Sequence, residues 1–186
     1  MVVCGSCGPG VDKCFVPSNI LNEKAQSRGL SASSQIVQCG LPIRKGFWPE
    51  QLSDPTASST PQTLNAIRQQ LDIDDIPTIL VVGGGDGMGG IVDIASTLGN
   101  ALGDTGNSDH ENPQYQMVVV CGNNQDAQQK LRKMNWPGGV KVIVQGFVSN
   151  MDEWMKASDC LVTKAGPGTI AEASICGLPC LLFAYL

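Results

Sequence analysis

Apolar and polar residues alternate in two rhythms along the second half of the chain. Short apolar runs predict strands, which lie at 78–82, 117–121, 140–144, 160–163 and 180–184. Amphipathic segments between them predict helices, which lie at 91–102, 126–134, 150–157 and 169–176. Because strands that are apolar along their whole length alternate with helices, the pattern predicts an α/β fold with a parallel sheet covered on both faces.

The first 50 residues predict only short elements, and a stretch rich in Ser, Thr and Pro follows them at 51–63. Such a composition is typical of a linker between folded parts. At the other end, the chain reaches Leu186 within or just after a strand that needs a following helix to cover it, so we expect a truncated sequence.

Charge and hydropathy argue against two classes of partner and structure. The 186 residues carry 12 Lys and Arg against 17 Asp and Glu, a formal net charge of −5, and no run of basic residues. A nucleic-acid binder needs a basic patch to neutralise phosphates, so we expect no nucleic-acid partner. The longest apolar runs fall short of the roughly 20 residues that a membrane-spanning helix needs.

The eight cysteines favour neither a metal site nor a disulfide scaffold. Three of them lie in apolar stretches, which predicts reduced and buried thiols: Cys160, Cys176 and Cys180. Cys4 and Cys7 form one CxxC pair, but no second pair follows, and the only histidine, His110, lies in a polar surface loop predicted at 103–113. We therefore expect no bound metal.

A run rich in glycine at 83–90 follows a predicted strand and precedes a helix. Backbone N–H groups at such a turn and the helix dipole attract anions, so the run predicts a phosphate site. Its glycines also satisfy the G-x-G-x-x-G pattern of dinucleotide binders, and Gly-Gly-Asp-Gly at 84–87 resembles the loop of lipid and NAD kinases, although Met88 stands where a Thr usually follows. A tight turn with positive φ explains part of the run as well.

A second loop, from Thr163 to Glu172, also joins a predicted strand to a helix. Two such loops on one parallel sheet converge on one edge. Gly166 and Gly168 leave the backbone bare, Thr169 can cap the helix, and the free N–H groups of the first turn can hold a diphosphate. A carboxylate at Glu172 can accept hydrogen bonds from both hydroxyls of a ribose, but its spacing from Thr169 fits a capping box equally well.

A weaker signal follows the third predicted strand. The backbone of Gly146, Phe147 and Val148 could meet a planar base by hydrogen bonds, although this pattern alone is not specific. On the next predicted helix, Trp154 and Met155 are better explained as core residues.

Five segments occur together in one order and spacing, and they lie at 13–19, 40–44, 83–89, 145–148 and 163–172, the last continuing through 177–179. With them the chain resembles the monogalactosyldiacylglycerol synthases, within the glycosyltransferase family 28 that includes MurG. The resemblance covers nearly the whole chain from Gly10. Its most specific part is the string Thr-Lys-Ala-Gly-Pro-Gly-Thr-Ile-Ala-Glu at 163–172.

The resemblance implies a GT-B glycosyltransferase with two Rossmann-like domains. Residues 1–50 would end the N-terminal acceptor- and lipid-binding domain, 51–77 would form a linker, and 78–186 a truncated C-terminal domain that binds the nucleotide sugar. The implied reaction transfers galactose from UDP-galactose to 1,2-diacylglycerol with inversion, without a metal or another cofactor. The implied location is the plastid (chloroplast) envelope, with peripheral membrane association.

The resemblance also assigns roles in the donor site, as follows: Phe147 and Val148 to the uracil, Gly166, Pro167, Gly168 and Thr169 to the diphosphate, Glu172 to the ribose hydroxyls, and Gly84 and Gly85 to the neighbourhood of the cleft. In this family the catalytic base comes from the N-terminal domain, of which only the last segment matches. The catalytic residue is therefore unknown, and we expect the chain to be inactive alone.

Two other classes stay open at this point. A phosphate-binding domain of a lipid or NAD kinase, or a dinucleotide binder, rests on 84–87 and leaves 163–172 unexplained. A non-catalytic α/β interaction domain would keep an intact glycine loop without binding a ligand.

Overall fold

A computed structural model describes residues 10–48, 63–83, 90–105 and 112–184. The chain forms two compact units, Met1–Arg44 and Lys45–Leu186. Within the ranges described, no helix is both long enough and apolar enough to cross a membrane.

The first unit contains two short parallel strands, β1 (Cys14–Val16) and β2 (Ile36–Gln38), connected through helix α1 (Asn19–Ser27). The Ser18 hydroxyl accepts a hydrogen bond from the Leu21 N–H at 3.4 Å and so caps the helix. Small and aliphatic residues fill the space between helix and strands, and they are Cys14, Val16, Ala25, Leu30 and Ile36.

The second unit is built on a parallel sheet. Its strands are β3 (Thr78–Val82), β4 (Tyr115–Val120), β5 (Val140–Gln145), β6 (Cys160–Lys164) and β7 (Cys180–Ala184). They pair in the order β5-β4-β3-β6-β7, and every pairing is parallel. The predicted α/β fold with a parallel sheet is therefore confirmed.

In the described part of this unit, four helices follow strands as the pattern predicts, and one further helix, which was not predicted, precedes β3. They are α2 (Leu64–Gln70), α3 (Ile91–Thr105), α4 (Gln125–Lys133), α5 (Met151–Lys156) and α6 (Pro167–Ile175), with a short 3-10 helix at Lys45–Phe47. Between the sheet and helices α3 and α4 lies an apolar core that includes Val81, Ile91, Ala95, Met117 and Leu131.

The second half of the predicted linker at 51–77 is packed structure. Helix α2 buries Ile67 and Arg68, and the Arg68 guanidinium forms ion pairs with Asp75 at 2.6 Å and Asp159 at 3.0 Å. Its Nε also donates to the Ala157 carbonyl oxygen at 3.1 Å. Residues 51–62 lie outside the described residues, and the assignment of 1–50, 51–77 and 78–186 to three parts stays a prediction.

The prediction for the cysteines is correct only in part. The described cysteines are free thiols, and Cys160 and Cys176 are half-buried. Cys180 is exposed because it starts β7, which is the edge strand of the described sheet and also exposes Leu181 and Leu182. An apolar run in the sequence thus indicates a strand without showing that a neighbour covers it.

Candidate functional site

The strand order reverses at β3 and β6. From β3 the chain builds the sheet outward through β4 and β5, and then returns to pair β6 on the other side of β3. In open α/β sheets, ligands bind at the carboxyl ends of the strands beside this switch point. Val82 pairs with Thr163 there, and the Thr163 hydroxyl donates to the Val82 carbonyl oxygen at 3.0 Å.

The two predicted loops leave the sheet at this switch point. Gly83 follows β3 and is buried, while Ala165 follows β6. The prediction that the two loops start at one edge is confirmed by this pairing. Gly84 and Gly85 lie outside the described residues, so their predicted place near the cleft stays a prediction. At the far end of the glycine run, Gly90 adopts φ +73 before α3 begins, as the tight-turn explanation requires.

The N-terminus of α6 carries no side-chain cap. Gly166 is the N-cap residue and Pro167 the first helical residue, and the first helical hydrogen bond runs from the Ile170 N–H to the Gly166 carbonyl oxygen at 3.0 Å. The first N–H groups of a helix have no acceptor within it, and here they belong to Gly168 and Thr169 because proline has none. This end of α6 can therefore receive an anion.

At this helix end one prediction is wrong and one open alternative is excluded. Thr169 does not cap the helix, and the Thr169–Glu172 capping box does not form, because α6 begins at Pro167 and its first turn holds no acidic residue. Proline is suited to the first helical position because its φ is already helical and its missing N–H is no loss there. The helix therefore starts two residues before the predicted boundary.

The glycines of this turn leave space above the backbone. Gly166 has φ −84, an ordinary value, so its conformation does not demand glycine. A Cβ atom added at Gly168 would meet no atom of the described residues within 4 Å, and one added at Gly166 would approach only the Thr169 hydroxyl, at 3.8 Å. Neither glycine is explained by packing within the described chain, and bare backbone at both positions leaves room for a ligand to approach the helix end closely.

Glu172 is buried, with 5% of its surface exposed, and lies in the second turn of α6. It shares a helix face with Gly168 and Thr169, which precede it by four and three residues. Because side chains on a helix lean toward its N-terminus, Glu172 belongs to the face that continues into the first turn of α6. A buried carboxylate thus lies about one turn from a helix end that can receive an anion.

Charges around the C-terminal part of α6 act on the thiol of Cys176. Burial raises the pKa of this thiol; the Lys156 ammonium lowers it, and the carboxylates of Asp152 and Glu172 raise it further. Charged groups of both α5 and α6 therefore lie close enough to Cys176, just after α6, to act on it electrostatically.

The loop after β5 presents an exposed ring. Phe147 has 71% of its surface exposed, whereas Val148 is half-buried. Trp154 and Met155 are buried, which confirms their interpretation as core residues. Three strand spacings of about 4.8 Å separate β5 from β6, so roughly 14 Å lie between this loop and the start of α6. That is of the order of an extended nucleoside diphosphate.

The structure also bears on the metal prediction. In the described ranges, no group of three His, Cys, Asp or Glu side chains is arranged to hold a metal ion. Cys4, Cys7 and His110 lie outside the described residues. The loop predicted at 103–113 starts later than expected, because α3 continues to Thr105.

The sequence of residues 78–186 matches a known family, described as the glycosyltransferase family 28 C-terminal domain. The chain is 41% identical over 181 residues to monogalactosyldiacylglycerol synthase 3, chloroplastic, from Arabidopsis thaliana, which spans 95% of this chain and 35% of that protein. It is 42% identical over 177 residues to the chloroplastic monogalactosyldiacylglycerol synthase of Spinacia oleracea, covering 95% of this chain and 31% of that protein. The chain spans about a third of the length of these relatives.

Two solved structures share the fold at low sequence identity. WaaG, a glycosyltransferase involved in lipopolysaccharide biosynthesis, aligns with a TM-score of 0.53 and 16% identity over 94% of this chain and 45% of its own. Anabaena HepE, solved with UDP and glucose, aligns with a TM-score of 0.50 and 16% identity over 92% of this chain and 44% of its own. The α/β architecture is thus that of GT-B glycosyltransferases.

Proposed function

The chain belongs to glycosyltransferase family 28 through its residues 78–186, and from this membership we propose that it is the donor-binding part of a monogalactosyldiacylglycerol synthase. The proposed enzyme transfers galactose from UDP-galactose to 1,2-diacylglycerol. The names of the relatives from Arabidopsis and spinach support the product class and a plastid location. We extend the proposal to peripheral association with the plastid envelope, where the lipid acceptor would be met.

One observation carries the proposal: the uncapped N-terminus of α6 beside the switch point, with a buried carboxylate on the same helix face. The N–H groups of Gly168 and Thr169 would bind the diphosphate, and Glu172 would accept hydrogen bonds from the ribose hydroxyls. Phe147 and Val148 would line the uracil. Gly166 and Pro167 shape the turn that the diphosphate approaches, and Gly84 and Gly85 would complete the cleft.

The proposed chemistry is a displacement with inversion. The acceptor hydroxyl oxygen attacks the anomeric carbon, the bond from that carbon to the diphosphate oxygen breaks, and UDP leaves with the electron pair. The N-terminus of α6 would stabilise the developing negative charge on the diphosphate, which is the task that a metal ion performs in other transferases. The proton of the acceptor hydroxyl would pass to a base from the N-terminal domain of the whole enzyme.

The kinase and dinucleotide alternatives are less well supported. They rest on the glycine run at 84–87 and give no account of the turn at Gly166–Thr169, whereas the family match includes both segments. The relatives from Arabidopsis and spinach are monogalactosyldiacylglycerol synthases by name, which supports the transferase.

Titration calorimetry of the purified chain tests the donor site. UDP, 2′-deoxy-UDP, ADP and NAD would be compared in the presence of EDTA, with the wild type and a Glu172→Gln variant. We expect the wild type to bind UDP most tightly and to prefer it to 2′-deoxy-UDP, whereas Glu172→Gln should lose that preference and weaken UDP binding by about tenfold, the effect of one lost charge-assisted hydrogen bond.

A matched control is Glu23→Gln, which removes the same charge from an exposed position in the first unit. It should bind UDP as the wild type does. Tighter binding of ADP or NAD, or UDP binding that requires a divalent cation, would contradict the proposal.

A further inference from the structure

Helix α4 holds both loops that follow β4 and β5. Gln128 lies on the side of α4 that faces these loops, and its Nε2 donates to the carbonyl oxygen of Gly122, just after β4, at 3.2 Å. One turn later on the same face, the Arg132 guanidinium donates to the Val144 carbonyl oxygen in β5 at 3.2 Å. Two side chains spaced four residues apart thus connect α4 to the carboxyl-end region of the sheet.

The same amide of Gln128 lies against the loop that carries Phe147. A Cβ atom added at Gly146 would be 3.1 Å from the Gln128 Nε2 and 3.2 Å from its Oε1. Those distances are shorter than ordinary van der Waals contact, so the Gln128 amide can occupy this position only because residue 146 has no side chain. Gln128 is therefore in contact with the loops that follow both strands.

We propose that Gln128 is a positioning residue for the nucleoside half of the donor: by bridging Gly122 and Gly146 it fixes the loop that presents Phe147 and Val148 to the base. The inference rests on the proposed function for its ligand. In this role Gln128 does not contact the substrate. It acts by fixing the position and orientation of the loop at 146–148.

The geometry separates this role from that of α6. The diphosphate would bind at Gly168 and Thr169, three strands away from the loop after β5. A change at Gln128 should therefore weaken binding of the base and leave binding of the diphosphate unchanged. A general loss of folding would weaken both.

The chain offers a matched control on the same helix. Gln129 is the next residue, has the same side chain and is exposed. Gln128→Ala should bind UDP about tenfold more weakly than the wild type, the effect expected for loss of one hydrogen bond in a partly buried position. Gln129→Ala should bind UDP like the wild type, and pyrophosphate should compete equally well for all three proteins.

Gly146→Ala provides a second, independent variant. Its backbone is outside the left-handed region, so alanine is allowed there, but the new methyl group must push the Gln128 amide away. Gly146→Ala should weaken UDP binding in the wild type. In the Gln128→Ala background it should have little further effect, because no amide remains to be displaced.

Five proteins are titrated with UDP and with pyrophosphate: the wild type, Gln128→Ala, Gln129→Ala, Gly146→Ala and the double variant Gln128→Ala/Gly146→Ala. Amide hydrogen exchange of residues 146–148 is measured on the same proteins. Faster exchange at these residues in Gln128→Ala, with the tenfold loss confined to UDP, is the expected result. If the wild type binds no UDP, the proposed function fails and this inference falls with it. If the wild type binds UDP and Gln128→Ala binds it equally well, or loses UDP and pyrophosphate alike, the positioning role is wrong while the proposed function stands.

Discussion

At the scale of single residues, the glycine at position 168 near the start of α6 is not required by the fold, which suggests that it serves ligand binding. Gly168 has a conformation open to other residues and free space around it among the described atoms. Glycine inside a helix costs about 0.5–1 kcal/mol relative to alanine. A chain under selection for stability alone would gain by replacing it, so the glycine points to a ligand that must approach the backbone.

Gly168→Ala should therefore keep or raise stability and lose UDP affinity. We expect a free energy of unfolding equal to the wild type or up to about 1 kcal/mol higher, and UDP binding at least about tenfold weaker because the methyl group occupies the path of the diphosphate. Urea denaturation and UDP titration measure the two effects. Gly138→Ala, at an exposed glycine that is equally unhindered, is the control and should leave UDP binding unchanged; unchanged binding in Gly168→Ala as well would remove the argument for a diphosphate at this turn.

The backbone geometry of the candidate site was predictable from the sequence where it depends on local order along the chain. The strand-loop-helix order at 163–172 places free N–H groups at a sheet edge whatever the rest of the chain does. The capping by Thr169 was predicted wrongly because the sequence contains two competing start signals, and Pro167 at the first helical position prevails over a threonine two residues later. Gln128 carries no signal of its own, since its role depends on Gly122 and Gly146, which reach it only through the fold.

At the scale of elements, the predicted strands are correct to within two residues at each end, and the errors at helices have identifiable causes. Helix α3 runs past its predicted end at residue 102 because Gly103 in the sequence indicates the start of the following loop, whereas Gly99 already lies inside the predicted helix. In the structure they lie inside the helix, where a Cβ atom at Gly99 would be 2.5 Å from the Trp136 ring and one at Gly103 would overlap Pro137. These glycines allow α3 to pack closely against residues 136 and 137, which no local pattern indicates.

Helix α2 was not predicted because it is short and polar and follows a stretch typical of a linker. Its position depends on Arg68, whose side chain is only 7% exposed and pairs with Asp75 and Asp159. Asp159 also accepts a hydrogen bond from the Thr78 N–H at 2.7 Å, so the arginine connects α2 to the starts of β3 and β6. Such a helix is stabilised by tertiary contacts and not by its own propensity.

Arg68→Met should lower the free energy of unfolding of the second unit by about 1–3 kcal/mol, because the ion pairs and the bond to the Ala157 carbonyl are lost while both aspartates stay partly hydrated. All three tryptophans, Trp48, Trp136 and Trp154, belong to this unit, so their fluorescence during urea denaturation reports on it. Lys130→Met, which removes a charge from an exposed position on α4, should change the free energy of unfolding by less than about 0.5 kcal/mol. Equal effects of the two substitutions would show that the arginine does not stabilise α2.

At the scale of the whole molecule, alternating strands and helices predict a parallel sheet. They do not predict the strand order, which depends on which strands pair by hydrogen bonds. The pairing of β6 with β3 creates the switch point and brings Val82 next to Thr163. The residues that form this edge are more than 80 positions apart in the sequence. The convergence of the two loops could therefore be predicted only from the general rule that loops at the carboxyl ends of parallel strands lie at one edge of the sheet.

The central sheet also makes the stability of the second unit depend on pH through a buried thiol. Cys121 follows β4 and is fully buried in the core beneath α3 and α4. Burial raises its pKa above the ordinary value of 9.0, and the Arg132 guanidinium offsets this only in part. Above pH 9 the unfolded chain loses a proton that the folded chain keeps, so stability is fully present below pH 9 and falls as the pH rises toward the folded-state pKa.

Replacing Cys121 by alanine removes this dependence while it opens a small cavity. The variant should therefore have a lower free energy of unfolding than the wild type at pH 8. At pH 10 this difference should shrink by up to about 1.4 kcal/mol, because a thiol with a pKa of 9.0 ionises in the unfolded wild type and stabilises only that state. Val119→Ala shortens a buried aliphatic side chain of β4 and changes no ionisable group, so its difference in free energy of unfolding from the wild type should stay constant over this range. The measurement is urea denaturation followed by tryptophan fluorescence at pH 8, 9 and 10. If the difference in free energy of unfolding between Cys121→Ala and the wild type is as independent of pH as that for Val119→Ala, the thiol ionises equally readily in the folded and unfolded chain. Any loss of stability at high pH would then come from other groups of the unit.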